Sequence, residues 1–177
     1  MLNNIASMLG AGVAAVGDYE SIATVTVGSG GTTSVTFSSI PSTYTHLQIR
    51  ALSLASSAGA SAQLEFNGVT TPNAVYYTHY LRGSGAAAQA GSTSQDQYFP
   101  DFQGGSSSPG GAILDILDYA NTNKYKTTRA LSGYDANGSG YIALTSSLWQ
   151  STAAITSINI KYTTILQYSS FALYGIK

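Results

Sequence analysis

The sequence predicts an all-β protein, an antiparallel β-sandwich of jelly-roll-like type over residues 19–177, preceded by a short N-terminal arm of residues 1–18. Three observations lead there. From Tyr19 onward, short β-branched and aromatic runs alternate with clusters of Gly, Ser and Asn, the pattern of many short strands joined by tight turns. Beyond the arm, no segment sustains a 3.6-residue apolar period, so little helix is expected. Finally, 177 residues suit a single core, and a chain of this size buries close to 70% of its unfolded surface without staples. None are at hand, because there is no cysteine.

The arm comes first. Ile5, Met8, Leu9, Val13 and Val16 make it apolar, and no Lys or Arg precedes Arg50. A secretory signal carries a basic leading region, which is missing here. Residues 5–16 are also interrupted by Gly10 and Gly12 and are too short to span a bilayer. A chain end of this kind frays unless something holds it; the segment is read as a docking arm.

Strands are then expected at 22–27 and 34–37, a first pair joined by GSGGTT. The strand at 45–54 alternates clearly, with Leu47, Ile49 and Ala51 on one face and His46, Gln48 and Arg50 on the wetter one. Runs at 63–66 and 75–81 flank Asn67-Gly68, a dipeptide favoured where a hairpin turn needs positive φ. Further runs at 113–119, 125–131, 141–148, 155–162 and 171–176 bring the total to about ten. Two small-residue stretches, 83–91 (GSGAAAQAG) and 104–111 (GGSSSPGG), read as flexible connections around a short segment at 95–102. The alternative is long loops at one end of the sandwich that contact a partner.

The run at 113–119 is unusual because both of its faces are apolar: Leu114 and Ile116 on one, Ile113, Leu117 and Tyr119 on the other. A sandwich strand normally wets one face. Either a loop crosses this strand or another subunit covers it. Tyr76, Tyr80 and Tyr162 are assigned to outer positions, which favours contact surfaces, since tyrosine tolerates partial exposure and is enriched at interfaces. The candidate subunit interface is therefore Ile113, Leu117, Tyr119, Tyr76 and Tyr80.

Motifs that carry chemistry are few. Residues 135–140 (DANGSG) open like a calcium loop, but its twelfth position is Ser146 where a bidentate Glu is required, so a hairpin on Asn137-Gly138 explains them better. His46 and His79 have no carboxylate at ligand spacing, and no metal site is expected. No nucleophile elbow or phosphate-binding glycine loop occurs. Asp115 and Asp118 are expected on opposite faces of one strand, and Asp96 and Asp101 flank a proline in a loop. Lys124, Lys126 and Arg129 form the one basic cluster, read as a solvated strand edge protected from pairing by lysine. Trp149 is a candidate glycan platform, although packing is the commoner role of a lone Trp. The chain is read as no enzyme, with no cofactor.

Charged residues are only 8% of the chain, against about 25% in an ordinary soluble domain. Gly, Ala, Ser and Thr take their place, and the formal net charge is -1. Seven Lys and Arg residues spread along the chain cannot supply the phosphate neutralisation on which nucleic-acid binding draws. No membrane span and no nucleic-acid partner are expected.

Four strings, residues 39–52 (SIPSTYTHLQIRAL), 119–133 (YANTNKYKTTRALSG), 146–158 (SSLWQSTAAITSI) and 171–177 (FALYGIK), together resemble a family of small virion structural proteins of tailed bacteriophages. The resemblance implies a non-enzymatic virion component that decorates a capsid or forms part of a tail or fibre, and it carries no catalytic residue. The expected partners are other capsid or tail subunits and further copies of the chain, most simply in a homotrimer, in a virion assembled in the host cytoplasm. The alternative is a tail- or fibre-associated carbohydrate-binding module that takes a host glycan.

Overall fold

A computed structural model describes residues 17–56, 62–69, 76–85, 87–94 and 103–177. The arm residues Ile5, Met8, Leu9, Val13 and Val16 lie outside the described residues, as do Asp96 and Asp101. Twelve strands occur among the described residues: β1 (Tyr19–Thr26), β2 (Thr32–Phe37), β3 (His46–Leu54), β4 (Gln63–Phe66), β5 (Tyr76–Ser84), β6 (Ala87–Ser94), β7 (Gln103–Gly104), β8 (Gly110–Leu117), β9 (Lys126–Asp135), β10 (Gly140–Trp149), β11 (Ile158–Ile165) and β12 (Ser170–Ile176). Among the described residues there is no helix.

The strands form two packed sheets. The large one runs β1-β12-β3-β8-β9-β10-β5-β6, antiparallel throughout, with the two-residue β7 lying parallel to the end of β3; the small one is β2-β11-β4. The pairings nest: β1 with β12, β2 with β11, β3 with β8. Two halves of the chain thus run back along each other while crossing repeatedly between the sheets, which is the jelly-roll wrap expected from the sequence. Strands β9, β10, β5 and β6 extend the large sheet beyond this wrapped part.

Strand alternation builds the core. Leu47, Ile49 and Ala51 of β3, Leu114 and Ile116 of β8, and Phe171 and Leu173 of β12 point inward from the large sheet. Val35, Phe37, Leu64, Phe66, Ile158 and Ile160 face them from the small one, all buried. Each such aliphatic or aromatic side chain contributes about 1.5–3 kcal/mol by leaving water, so this layer accounts for most of the fold's cohesion.

Several expectations need correction. The runs that become β1 and β2 do not pair with each other; they lie in different sheets. Asn67 and Gly68 do adopt positive φ (54° and 71°), and the Val69 N–H donates back to the Phe66 carbonyl, so the tight turn is real. Yet β4 pairs with β11 and β5 with β10, so the two runs lie in different sheets and form no hairpin. The Asn67 side chain instead clasps the approach to β11: its Nδ2 donates to the Ala154 carbonyl, while its Oδ1 accepts from the Thr156 and Ser157 N–H groups. The small-residue stretch from Gly83 is no flexible loop either, since β5 and β6 form a hairpin around Gly85.

Three tyrosines assigned to outer positions or to the subunit interface are core residues. Tyr76 and Tyr162 are buried, and Tyr119 is fully so. Asp118 causes this at Tyr119: its left-handed backbone (φ 49°) ends β8 and turns the next side chain inward, where the Tyr119 hydroxyl donates to the Pro41 carbonyl. Trp149, a candidate glycan platform whose commoner role is packing, is 2% exposed and packs between Phe66 and Tyr76, with ring centroids 5.3 and 6.3 Å away. It offers no face to a sugar.

Lys126 overturns the reading of a solvated lysine edge. It opens β9, a strand in the middle of the large sheet, and its side chain is 0% exposed. Its ammonium sits among four main-chain carbonyls, those of Asn121 (2.5 Å), Lys124 (2.9 Å), Thr152 (3.3 Å) and Ser151 (3.5 Å). Three N–H donors shared by four acceptors tie together two loops. Burial lowers the pKa of Lys126 below its ordinary value, an effect that Asp118 opposes.

Candidate functional site

The outer face of the large sheet carries the features that could serve a function. The register puts Leu81 (β5), Leu144 (β10), Leu131 (β9) and Ile113 (β8) side by side in one row across four strands. One step along the strands, Gly83, Ile142, Gly133 and Gly111 form the next row, which Leu52 of β3 continues. Paired residues share a face, so all of these side chains point away from the core. Leu52, Leu81, Ile113, Leu131, Ile142 and Leu144 remain 54%, 51%, 43%, 46%, 58% and 53% exposed. Glycine keeps the second row low. At Gly133 a Cβ would approach the Tyr141 carbonyl oxygen at 2.5 Å, so the close passage of β9 past β10 requires glycine there.

A polar row bounds the aliphatic one on its other side: His79, Ser146, Arg129, Asp115, Gln48 and Tyr174 follow one another across six strands. Between the two rows lies an open cavity of about 560 Å³, lined by Leu81, Ile113, Leu131 and Leu144 together with His79, Asp115 and Arg129. At the far end the polar row becomes a network. Gln48 Nε2 donates to Asp115 Oδ1 (2.7 Å), while the Tyr19 hydroxyl and Arg50 Nε both donate to Gln48 Oε1 (2.7 and 3.0 Å). Tyr19 and Tyr174 stack at 4.7 Å, and the Arg50 guanidinium lies 5.2 and 5.5 Å from their ring centres. Desolvation raises the pKa of Tyr19, and the nearby Arg50 charge partly offsets it.

The face is rich in contact surface and poor in reactive geometry. His79 and Ser146 are cross-strand partners, yet among the described residues no hydrogen bond joins them. No cluster of three or more His, Asp or Glu residues suited to a metal occurs among the described residues. Asp118 lies on the turn after β8, apart from Asp115, where the Lys124 ammonium beside it holds its carboxyl below the usual range. His46 completes that turn, its Nδ1 accepting from the Asp118 N–H at 3.0 Å. The hairpin expected at residues 135–140 is present: the Ala136 N–H donates to the Ser139 carbonyl across Asn137 and Gly138, both at positive φ.

Of the expected interface set, Ile113 stands in the exposed row, and Leu117, half-buried, follows on the same face. Tyr80 lies on the opposite face of β5, its ring 4.8 Å from the Arg82 guanidinium. Sequence reasoning missed Leu52, Leu81, Leu131, Ile142 and Leu144. Strand parity marks each as alternating with inward neighbours, but only the register shows that they form one patch.

Fold and site together define a neutral, two-sheet β-sandwich with one apolar sheet face left open. No protein-family model, curated protein or solved structure matches the chain.

Proposed function

We propose that this chain is a non-enzymatic structural subunit of a tailed-bacteriophage virion, one that decorates or cements the capsid, with residues 1–18 as its docking arm. The exposed aliphatic row on the outer sheet face carries this reading. Monomeric proteins seldom expose contiguous apolar patches beyond a few hundred Å², and larger ones mark contact sites. The low charge supports it too, because a subunit repeated many times can add weak neutral contacts through multiplicity. Deletion of residues 2–17 is expected to abolish incorporation into particles; particles that carry the truncated chain at full occupancy would refute the arm's role.

A second reading, a carbohydrate-binding module on a tail or fibre, draws on the Tyr19–Tyr174 stack and its neighbours Arg50, Gln48 and Asp115. Aromatic faces beside polar side chains suit a sugar ring. A glycan array discriminates the readings. Saturable binding lost on Tyr174→Ala favours attachment, and the absence of any sugar bound by the folded domain favours architecture.

A further inference from the structure

We propose that the outer face of the large sheet receives the N-terminal arm of a second copy of this chain. The proposal rests on the reading of the chain as an assembly subunit and names the neighbour that takes the arm.

The size of the patch selects a segment over a whole sheet. Six aliphatic side chains, each about half exposed, leave on the order of 500 Å² of apolar surface, at the upper end of what monomers tolerate. A stable face-to-face dimer buries about 800 Å² per partner, more than this patch supplies. A short apolar segment matches it better. Residues 1–16 are such a segment: they carry no charged side chain and include Ile5, Met8, Leu9, Val13 and Val16. The patch is likewise uncharged; its charged neighbours are Asp115 and Arg129 in the polar row at one side and Arg50, which pairs with Ile113 at the end of the aliphatic row.

Reach decides between a chain's own arm and another's. The start of β1 is fixed, since the Lys177 N–H donates to the Asp18 carbonyl at 2.9 Å. From Tyr19, the nearest member of the row, Ile113, lies three strands across and four residues along, a separation of about 20 Å at ordinary strand spacings. Val16 precedes Tyr19 by three residues, which span at most about 11 Å when fully extended. Folded back on its own sheet, the arm would have to lay Val16 over the polar Tyr19–Arg50–Gln48 network, and Val13, with a span of at most about 22 Å from Tyr19, would be the first of its apolar residues to reach the patch. Supplied by a neighbour, all five apolar residues can seat together.

The test is complementation between two defective chains. One lacks residues 2–16 but keeps the face; the other keeps the arm but carries Leu144→Lys, with Leu81→Lys as a second variant on the same row should the first fail to fold by circular dichroism. Sedimentation should show concentration-dependent association of the full chain, weakened about tenfold or more in each defective chain alone. An equimolar mixture of the two should restore a one-to-one pair. A full chain that stays monomeric, or an arm-deleted chain that associates as well as the full one, overturns the proposal, and the latter outcome assigns the face to direct sheet pairing. A mixture that fails to pair overturns it as well. If the pair forms but phage particles lack the protein, the virion reading falls and the arm–face contact stands.

Discussion

Lys126 shows how a single side chain can be read backwards. In a strand, the parity that turns Thr128 and Ala130 inward turns Lys126 inward as well, but a lysine invites the assumption of solvent. Its carbonyl partners come from residues 121, 124, 151 and 152, two loops whose proximity depends on the whole fold, so sequence alone does not bring them together. Lys126→Met should orphan those carbonyls and cost about 2–4 kcal/mol, read by denaturant unfolding; an unchanged midpoint would contradict the clasp. Trp149 was more legible, because packing is the ordinary fate of a lone tryptophan. Trp149→Ala should cost about 3–5 kcal/mol. Trp149→Phe should cost clearly less, since the buried indole N–H has no hydrogen-bond partner among the described residues to lose. Asp118 supplies a pH signature. Lys124 lowers its folded pKa below the ordinary 3.8, so the folded state binds fewer protons than the unfolded chain as acid is added. The stabilisation is present above the ordinary value and disappears as pH falls through the lowered one. The stability gap between the native chain and Asp118→Asn should therefore be present at neutral pH and close in strong acid.

At the scale of elements, what is local was readable and what is distant was not. Positions of β3, β8 and β12 follow from alternation and β-branched content, and the β9–β10 hairpin follows from Asn137-Gly138. Pairing partners did not follow, because Asn67-Gly68 adopts the same left-handed backbone although β4 before it and β5 after it lie in different sheets. A turn sets the direction of the chain, and the buried face of each strand then selects the sheet. The same separation hid the candidate site, whose members occupy five strands and meet only through register. The hairpin offers a graded test. Gly138 sits at φ 98° with open space where a Cβ would be, whereas Gly140, at φ 145°, would also press a Cβ against the Tyr134 carbonyl. Gly138→Ala should cost about 1–2 kcal/mol from backbone strain alone, and Gly140→Ala distinctly more. Equal melting shifts would disprove the close approach.

For the molecule as a whole, scarcity of charge has an experimental consequence. Contacts built from aliphatic rows and an uncharged arm have little for salt to screen. Association of the chain, and its retention on particles, should hold nearly constant between about 0.05 and 0.5 M salt; a steep decline would point to the ionic groups of the polar row as the true contact.

The nested pairing also bears on how the chain is made. Strand β12 is an interior member of the large sheet, wedged between β1 and β3, so the two earliest large-sheet strands cannot be joined until residues 170–176 have left the ribosome. Until then β1 has no partner strand and one edge of β3 stays open, although its other edge can already pair with β8. Long-range strand pairing of this kind is slow and prone to misassociation. A polypeptide stalled before residue 170 during translation should remain protease-sensitive at β1, and gain resistance there once the last strand emerges.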